Sequence, residues 1–476
     1  MNRVAQTFRL WVRRGSRSAL VLAARRRRNS QPETAALPRR GLAARAADRV
    51  RGNLRPNPVW VASLAIILAF IAGPARGLDW PQWRGPNRNG ISQETSLLKE
   101  WPKDGPKLLW QQKNIGNGYS TPAIVGDRIY LLSNQGLENE FVQALSTKDG
   151  SRVWSTPIGK VGNPKQDPNY PAARSTPTVV GDSLYALGSD GDLVCLETAS
   201  GKERWRKSLR ADFGGKPGEW AYAESPLVDA EAVVCTPGGS DATLVALNRK
   251  SGDVVWKCPV PGGDEAAYAS AIVVEAAGVK QYVQFLQKGL VSVDAKTGKF
   301  LWRHDKTAQG SPAVIITPLA DKEYIYSGAY RVGGGLIKPV GKDGVIKIEE
   351  IYFSPKLPVG IGGVVKVGDY LFGSTGQGLL CVEFKTGEIK WEERGLGPAS
   401  WLFADNRLYL HGENGDVAII EPSSEVYREK GRFTPPEQPK RVNQMEKAWA
   451  YPVIANGRLY IRDVGSLWCY GIKVEK

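Results

Sequence analysis

One unit of about 45 residues recurs along most of the chain, and this repetition limits the possible folds more than any other sequence feature. The clearest copy is RSTPTVVGDSLYALGSDGDLVCLETASGKERW, residues 174–205, and a second is YSTPAIVGDRIYLLSNQGLENEFVQALSTKDGSRVW, residues 119–154. Five weaker copies follow within residues 224–472. Units of this kind bury their apolar faces against neighbouring copies, so the sequence predicts one repeat array rather than unrelated domains.

Each copy contains three or four short β-branched runs separated by Gly-Asp, Asp-Gly or Thr-Gly pairs, which are typical of hairpin turns. Tryptophans end five successive units at intervals of 44, 51, 51 and 46 residues: Trp110, Trp154, Trp205, Trp256 and Trp302. This spacing is typical of four-stranded propeller blades. One degenerate unit is expected before Trp391, with its first strand near residues 311–314. The sequence therefore predicts an all-β, eight-bladed β-propeller of four-stranded antiparallel blades.

The two ends of the array complement each other. The last copy ends at Ile472 without a closing Trp strand, whereas residues 107–111 (KLLWQ) form a Trp strand with no copy before it. We expect this strand to complete the eighth blade and to close the ring, which removes open sheet edges.

The first 77 residues differ in composition from the repeats. Residues 1–58 carry 15 Arg, no Lys and two acids, and residues 59–73 (VWVASLAIILAFIAG) are uncharged and apolar. An apolar run of this length is shorter than the ~20 residues that span a bilayer and is typical of a signal peptide. We expect a basic leader over 1–58, the signal-peptide core and cleavage region over 59–77, with the cut after Gly77, and the propeller over 78–476. An uncleaved membrane anchor is the alternative, and both interpretations predict an exported protein, periplasmic or extracellular.

Charge and cysteine content exclude several function classes. Of the net charge of +16, only about +3 belongs to the part after residue 58, which argues against nucleic-acid binding. The five cysteines include no adjacent pair and no C-x-x-C, so neither a disulfide framework nor a zinc site is indicated. Three of them occupy the slot that Ala144 and Ala246 fill in other copies, which predicts small, buried packing positions.

The strings LVALNRKSGDVVW (residues 244–256) and LVSVDAKTGKFLW (residues 290–302) resemble the pyrroloquinoline quinone (PQQ)-type repeat. In that family, the Ala and Trp of each repeat hold adjacent blades together. The segment WPQWRGPNRNGIS (residues 80–92) is similar to the opening segment of exported bacterial proteins of this group. The resemblance covers roughly residues 79–476 and implies the propeller fold. It implies two different activities, because the fold serves both quinoprotein dehydrogenases and the non-catalytic BamB-type subunit of outer-membrane barrel assembly.

The sequence departs from both branches of the family. The dehydrogenases that the chain resembles hold quinone and Ca²⁺ in the central funnel, often against a disulfide between neighbouring cysteines. No Cys-Cys pair occurs in this sequence. A BamB-type subunit carries a lipid anchor, and no leader residue is a cysteine. We expect a binding or scaffold protein for a small molecule or an envelope protein partner. The alternative is a PQQ- and calcium-dependent alcohol or sugar dehydrogenase.

Aligning the repeats predicts which residues face the central channel, because each innermost strand begins there. The predicted ring is Tyr119, Arg174, Ala223, Tyr268, Gln309, Ile361, Pro398 and Trp449. Aromatic, cationic and carboxylate side chains together suit a flat, polar or anionic ligand such as a quinone or a sugar. The candidate cofactor-binding residues are therefore Tyr119, Arg174, Tyr222, Glu224, Tyr268 and Trp449. The competing interpretation is that these side chains only fill the channel.

Other candidates are weaker. Arg331 precedes three glycines, which suits an anion site, although an irregular hairpin is the expected role. Residues 161–170 and 210–220 are predicted to be the longest connections and to roof one face of the propeller. With only His304 and His411 in the chain, no Ser/His/Asp arrangement is indicated. We expect His304 near the outer surface and His411 at a strand end or turn.

Overall fold

The computed structural model describes residues 78–163, 172–342, 344–441 and 446–474. The predictions for the leader, the apolar run and the cleavage site lie outside these residues. Within them, no helix has the length and apolarity that crossing a bilayer requires.

Eight antiparallel sheets form the eight blades of a β-propeller, as the repeat predicts. Blade 1 comprises β3 (Ala123–Val125), β4 (Arg128–Gln135), β5 (Asn139–Ser146) and β6 (Arg152–Gly159), and blade 2 comprises β7 (Thr178–Val180), β8 (Ser183–Leu187), β9 (Asp192–Glu197) and β10 (Glu203–Ser208). Blade 3 comprises β11 (Leu227–Asp229), β12 (Ala232–Cys235), β13 (Leu244–Asn248) and β14 (Val254–Cys258), and blade 4 comprises β15 (Ile272–Ala276), β16 (Val279–Phe285), β17 (Leu290–Asp294) and β18 (Phe300–His304). Blade 5 comprises β19 (Leu319–Asp321), β20 (Tyr324–Ala329), β21 (Gly333–Lys342) and β22 (Val345–Ser354). Blade 6 comprises β23 (Val364–Val367), β24 (Tyr370–Ser374), β25 (Leu379–Glu383) and β26 (Ile389–Glu393). Blade 7 comprises β27 (Ala399–Ala404), β28 (Arg407–Gly412), β29 (Val417–Ile420) and β30 (Glu429–Phe433).

Blade 8 closes the ring from both ends of the array. It contains β31 (Val453–Ala455), β32 (Arg458–Asp463) and β33 (Ser466–Gly471), and its fourth strand is β2 (Lys107–Gln112). β2 pairs antiparallel with β33, with Trp110 opposite Cys469. The predicted closure by the orphan Trp strand is therefore confirmed.

Adjacent blades interlock through the Trp of one blade and the turn glycine of the next. The indole of Trp205 donates to the carbonyl of Arg249, 3.0 Å away, and a Cβ on Gly252 would lie 2.9 Å from the Trp205 ring. In the same way, a Cβ on Gly298 would lie 2.5 Å from the Trp256 ring. Each of these glycines has a positive φ, so the Thr-Gly and Ser-Gly pairs of the repeat supply both the turn and the space for the ring.

The strand register explains the small residue in each repeat. Trp154 pairs with Ala144, Trp256 with Ala246 and Trp302 with Ser292. Cysteines fill the same slot in blades 2, 6 and 8: Cys195, Cys381 and Cys469. All five cysteines are free and buried. The prediction of small packing positions is confirmed for these three.

Blade 5 differs from its predicted position. Its first strand is β19, which follows Thr317-Pro318, and not residues 311–314. Ser311-Pro312 imitates the Ser-Thr-Pro signal of the other units but lies in the connection before the strand. Gln309 is therefore not the ring position of this blade; its equivalent is Ile315. Tyr352 replaces the blade-closing Trp, and its hydroxyl donates to the carbonyl of Phe384 at 2.9 Å.

Two further elements are absent from the sequence prediction. β1 (Ile91–Ser92) pairs in parallel with β27, which makes blade 7 five-stranded. One short helix, α1 (Leu209–Phe213), lies in the connection between blades 2 and 3, with Ser208 as its N-cap and Gly214 as its left-handed C-cap.

Candidate functional site

We call the end of the propeller where each outer strand passes to the next innermost strand the connection face. The predicted ring residues precede the innermost strands and so belong to this end. Tyr119 of blade 1 contacts Trp449 of blade 8, with ring centroids 4.9 Å apart and planes inclined by 56°. The structure thus brings together two of the six candidate residues across the junction that closes the ring.

A second group joins Arg174 to Tyr268 through Trp220. One Arg174 nitrogen, Nη1, donates to the Trp220 carbonyl at 2.5 Å. The Trp220 ring lies 5.6 Å from that of Tyr268, and the Trp220 amide donates to the Tyr268 hydroxyl at 3.2 Å. Trp220 itself remains 37% exposed. The repeat pattern places Trp220 at the end of a connection and does not mark it as a member of the site.

Tyr222 and Glu224 are buried and do not join these aromatic side chains. The Tyr222 hydroxyl donates to the carbonyl of Pro237 at 2.8 Å, and its ring belongs to an apolar cluster that includes Leu209 and Phe213 of α1. The Glu224 carboxylate accepts from the Thr236 amide and hydroxyl and from Gln284 Nε2. Burial raises the pKa of Glu224 to about 7. Their assignment to a cofactor site remains a prediction.

A belt of hydroxyl groups lies one layer deeper than the predicted ring. In blades 2, 3 and 4, the backbone amide of the second residue before the innermost strand donates to the hydroxyl at the same position of the next blade. These bonds run from Thr176 to Ser225 at 2.9 Å, from Ser225 to Ser270 at 2.9 Å and from Ser270 to Thr317 at 3.4 Å. The Tyr451 amide of blade 8 makes the corresponding bond to Thr121 of blade 1 at 3.0 Å. The recurring Ser/Thr-Pro pair is the sequence signal that could have revealed this belt.

Tyr451 also crosses the channel. Its hydroxyl donates to the carbonyl of Ile361 before blade 6, at 2.9 Å. The Trp83 ring packs edge-on against the Tyr451 ring at 4.6 Å, and the Arg84 guanidinium lies 5.6 Å from its centroid. Burial raises the pKa of the Tyr451 hydroxyl, which therefore stays protonated and donating at neutral pH.

Residues 80–92, which we call the axial segment, occupy the channel beneath this tyrosine. Main-chain bonds connect the segment to several innermost strands: Trp80 and Ile124 exchange two bonds of 2.8 Å, the Val179 amide donates to the Pro81 carbonyl at 2.9 Å, and the Phe403 amide donates to the Gly90 carbonyl at 2.9 Å. The Trp83 indole donates to the Thr317 hydroxyl at 2.8 Å. The segment that precedes the first blade thus fills the central axis, a position that the repeat pattern does not predict.

The long connections meet on the connection face as expected. The Arg210 guanidinium donates to the Gly162 carbonyl at 3.2 Å, and Asn163 Nδ2 donates to the Glu219 carbonyl at 3.2 Å. The prediction that these two connections are the longest is wrong, because residues 434–452 between β30 and β31 form a longer one. Part of that connection lines an open cavity of about 530 Å³, together with Lys113, Asn114 and the turn at Gly465.

The remaining candidates have structural contacts. Arg331 adopts a φ of 65° in the turn between β20 and β21, with its guanidinium 5.3 Å from the Tyr330 ring. The hairpin is confirmed, but its strands pair in regular register, with Ala329 opposite Gly333. His304 Nε2 lies 3.4 Å from Glu350 Oε2 between two outer strands. His411 is buried near the end of β28, and its Nδ1 lies 2.9 Å from the Ala450 carbonyl oxygen.

The described residues do not bring three acidic side chains together as candidate calcium ligands. In the described part of the chain, no three His, Cys, Asp or Glu residues lie close enough together to hold a metal ion. Glu224 and Glu140 instead accept hydrogen bonds from neighbouring hydroxyl and amide groups. The axis is filled by polypeptide, so a flat cofactor does not fit at the depth of Tyr451.

The comparisons with known proteins agree with the fold. Residues 138–393, just over half of the chain, match the family model described as outer membrane protein assembly factor BamB. The protein of that name from Burkholderia pseudomallei is 25% identical over 69% of this chain and 91% of the relative. The crystal structure of BamB from Moraxella catarrhalis superposes with a TM-score of 0.53 at 17% identity, covering 78% of this chain and 98% of the other. The quinohemoprotein alcohol dehydrogenase from Comamonas testosteroni gives a TM-score of 0.61 at 13% identity, covering 85% and 82%.

Proposed function

Because the chain belongs to the PQQ-repeat propeller family whose model is described as outer membrane protein assembly factor BamB, we propose that it is an exported, protein-binding scaffold of the bacterial cell envelope. The relatives carrying that name act, by that name, in the assembly of outer membrane proteins. By analogy, this chain would bind a protein partner in the bacterial cell envelope.

The main support for this proposal is that the axial segment occupies the central channel. Trp83 and Tyr451 pack against each other across the channel, and Arg84 and Arg88 reach inner-strand carbonyls below them. A ligand site needs a concave space with a few polar groups directed into it. Here the side chains of Trp83, Tyr451 and the two arginines already donate to the chain itself, which favours the exterior for recognition.

The connection face offers exposed aromatic side chains for a partner. We call Trp220, Tyr268 and Tyr330 the aromatic row. Tyr268 and Tyr330 both bond to the connection before blade 5: the Tyr268 amide donates to the Val314 carbonyl at 3.0 Å, and the Ser311 hydroxyl donates to the Tyr330 carbonyl at 3.0 Å. Tyr330 is 46% exposed. Exposed Trp and Tyr beside Arg are the residue types that contribute most to protein interfaces.

Replacing the two exposed members tests this assignment. We expect the Trp220→Ala, Tyr330→Ala double variant to bind its envelope partner at least about tenfold more weakly, because two interface aromatics typically contribute more than 1 kcal/mol each. The measurement is cross-linked capture from solubilised envelopes of the source bacterium, followed by titration of the captured protein.

Val255→Ala provides the matched control, because Val255 is exposed on the outer strand β14, away from the connection face. The control variant should bind as the unmodified chain does. Equal binding by the double variant would remove the aromatic row from the interface. Failure of the unmodified chain to retain any envelope protein would contradict the scaffold function itself.

The alternative is a quinoprotein dehydrogenase. It is supported by the structural likeness to the alcohol dehydrogenase, which at 13% identity concerns the fold alone. Tyr119, Arg174, Tyr268 and Trp449 are the residues that such a site would use at the connection face. The filled axis makes this the weaker proposal.

A further inference from the structure

We infer that the axial segment is a permanent internal ligand of the propeller, which ties non-neighbouring blades together from inside and closes the axis to small molecules. This inference concerns residues 80–92 and the inner strands, and it does not depend on the proposed partner or on the aromatic row.

Two buried arginines provide the main evidence. Arg84 and Arg88 are 3% and 4% exposed. Burial lowers the pKa of both, that of Arg88 to about 10, yet both remain charged at neutral pH. A buried guanidinium is costly unless its donors are satisfied. The segment is therefore stable in the channel only if the channel wall places hydrogen-bond acceptors beside these two guanidinium groups.

Those acceptors come from two blades that are not neighbours in the ring. Arg88 donates to the Ser225 carbonyl at 2.8 Å and to the Pro226 carbonyl at 3.1 Å, both at the start of blade 3. Arg84 donates to the carbonyl of Val364 in blade 6. The attraction of the Glu224 carboxylate adds to the stabilisation of the Arg88 charge. Because blades 3 and 6 are three positions apart in a ring of eight, the two arginines bridge the channel.

The backbone of the segment adopts a conformation that its surroundings impose. Arg84 and Arg88 have φ values of 58° and 53°, a left-handed conformation that non-glycine residues rarely adopt. Gly85 and Gly90 also have positive φ, and a Cβ on either would lie within 3 Å of the Trp80 ring or of Val365. Such a conformation persists only where the surroundings determine it, so the channel and the segment fit each other specifically.

The contacts of the axial segment limit where the chain can be cut during N-terminal processing. Asp79 Oδ1 accepts from the Gly126 amide at 2.9 Å, and Trp80 pairs with Ile124, so within the described residues these two are the first to bond to a blade. The cut after Gly77 that the sequence predicts would leave the axial segment intact. A cut within the segment would remove contacts to several blades at once.

Limited trypsin digestion of the full chain tests the inference without any substitution. Trypsin cleaves after Arg and Lys, and the bonds after Arg84 and Arg88 can be compared with those after the exposed Lys103 and Lys440. We expect cleavage after the two arginines to be at least about 100-fold slower, because proteolysis requires local opening. Mass spectrometry gives the rate at each bond. Comparable rates in a chain that keeps its native tryptophan fluorescence would overturn the inference.

A single substitution identifies the contact responsible. Arg88→Met keeps the length and apolar stem of the side chain but removes the donors to the Ser225 and Pro226 carbonyls. We expect cleavage after Arg84 to accelerate at least about tenfold in this variant, because the segment opens more often. Arg428→Met, at an exposed arginine of blade 7, should leave that rate unchanged. An unchanged rate in Arg88→Met would show that Arg88 does not hold the segment, and the wild-type digestion still decides the inference if the variant fails to fold.

Discussion

At the scale of the residue, the channel wall depends on buried polar groups that satisfy one another. Arg88 donates to the Ser225 and Pro226 carbonyls just before β11, and Glu224 accepts from Thr236 and Gln284 nearby. The alignment of repeats correctly placed Glu224 beside the start of an innermost strand. It could not show that the carboxylate turns into the blade, because that direction depends on Gln284, which is 60 residues away in sequence.

The buried Glu224 carboxyl predicts a defined pH dependence. Its pKa is raised from 4.5 to about 7 in the folded chain, so the native state loses stability relative to the unfolded state as pH rises from about 4.5 to about 7. Glu224→Gln removes this loss. We expect the free energy of unfolding of the variant, relative to wild type, to increase by on the order of 1–3 kcal/mol between pH 5 and pH 8. Urea unfolding at the two pH values measures it.

The exposed Glu138 gives the matched control. Glu138→Gln should show no such pH-dependent difference. A Glu224→Gln difference that is the same at pH 5 and pH 8 would mean that Glu224 titrates normally in the folded chain.

At the scale of the element, hairpin turns and tryptophan spacing were sufficient to predict blades and their number. These signals are local and repeat in every copy, so a single sequence displays them several times. Blade 5 shows where they fail, because Tyr352 replaces the Trp and Ser311-Pro312 imitates the start of a strand. β1 was missed for a different reason: a two-residue parallel strand is defined only by the distant strand β27 that it pairs with.

The interlock of blades predicts unequal costs for two similar glycines of blade 4. Gly298 and Gly278 have φ values of 71° and 72°, but a Cβ on Gly298 would lie 2.5 Å from the Trp256 ring, whereas a Cβ on Gly278 would meet nothing within 4 Å. Both Ala substitutions carry the backbone cost of positive φ, about 1 kcal/mol. Gly298→Ala should destabilise by about a further 1–3 kcal/mol, because the ring must shift. Denaturant unfolding of the two variants measures the difference, and equal costs would show that the Trp–Gly contact does not hold the blades together.

At the scale of the whole molecule, the ring is closed at its rim and filled at its axis. β2 supplies the outer strand of blade 8, and the axial segment contacts the innermost strands of blades on several sides. The sequence predicted the first closure, since an orphan Trp strand and an incomplete last unit match each other. It could not predict the second, because the axial segment lacks the repeat pattern and its partners are scattered over more than 300 residues.

The central claim is that this propeller acts through its exterior and not through a cofactor on its axis. The most direct measurement is a titration of the purified full chain with PQQ and Ca²⁺, following tryptophan fluorescence, with a dye-linked alcohol and sugar oxidation assay on the same sample. The account predicts no saturable change in fluorescence and no dye reduction above the cofactor blank. Saturable quenching together with substrate-dependent dye reduction would contradict it and would establish a quinoprotein oxidoreductase.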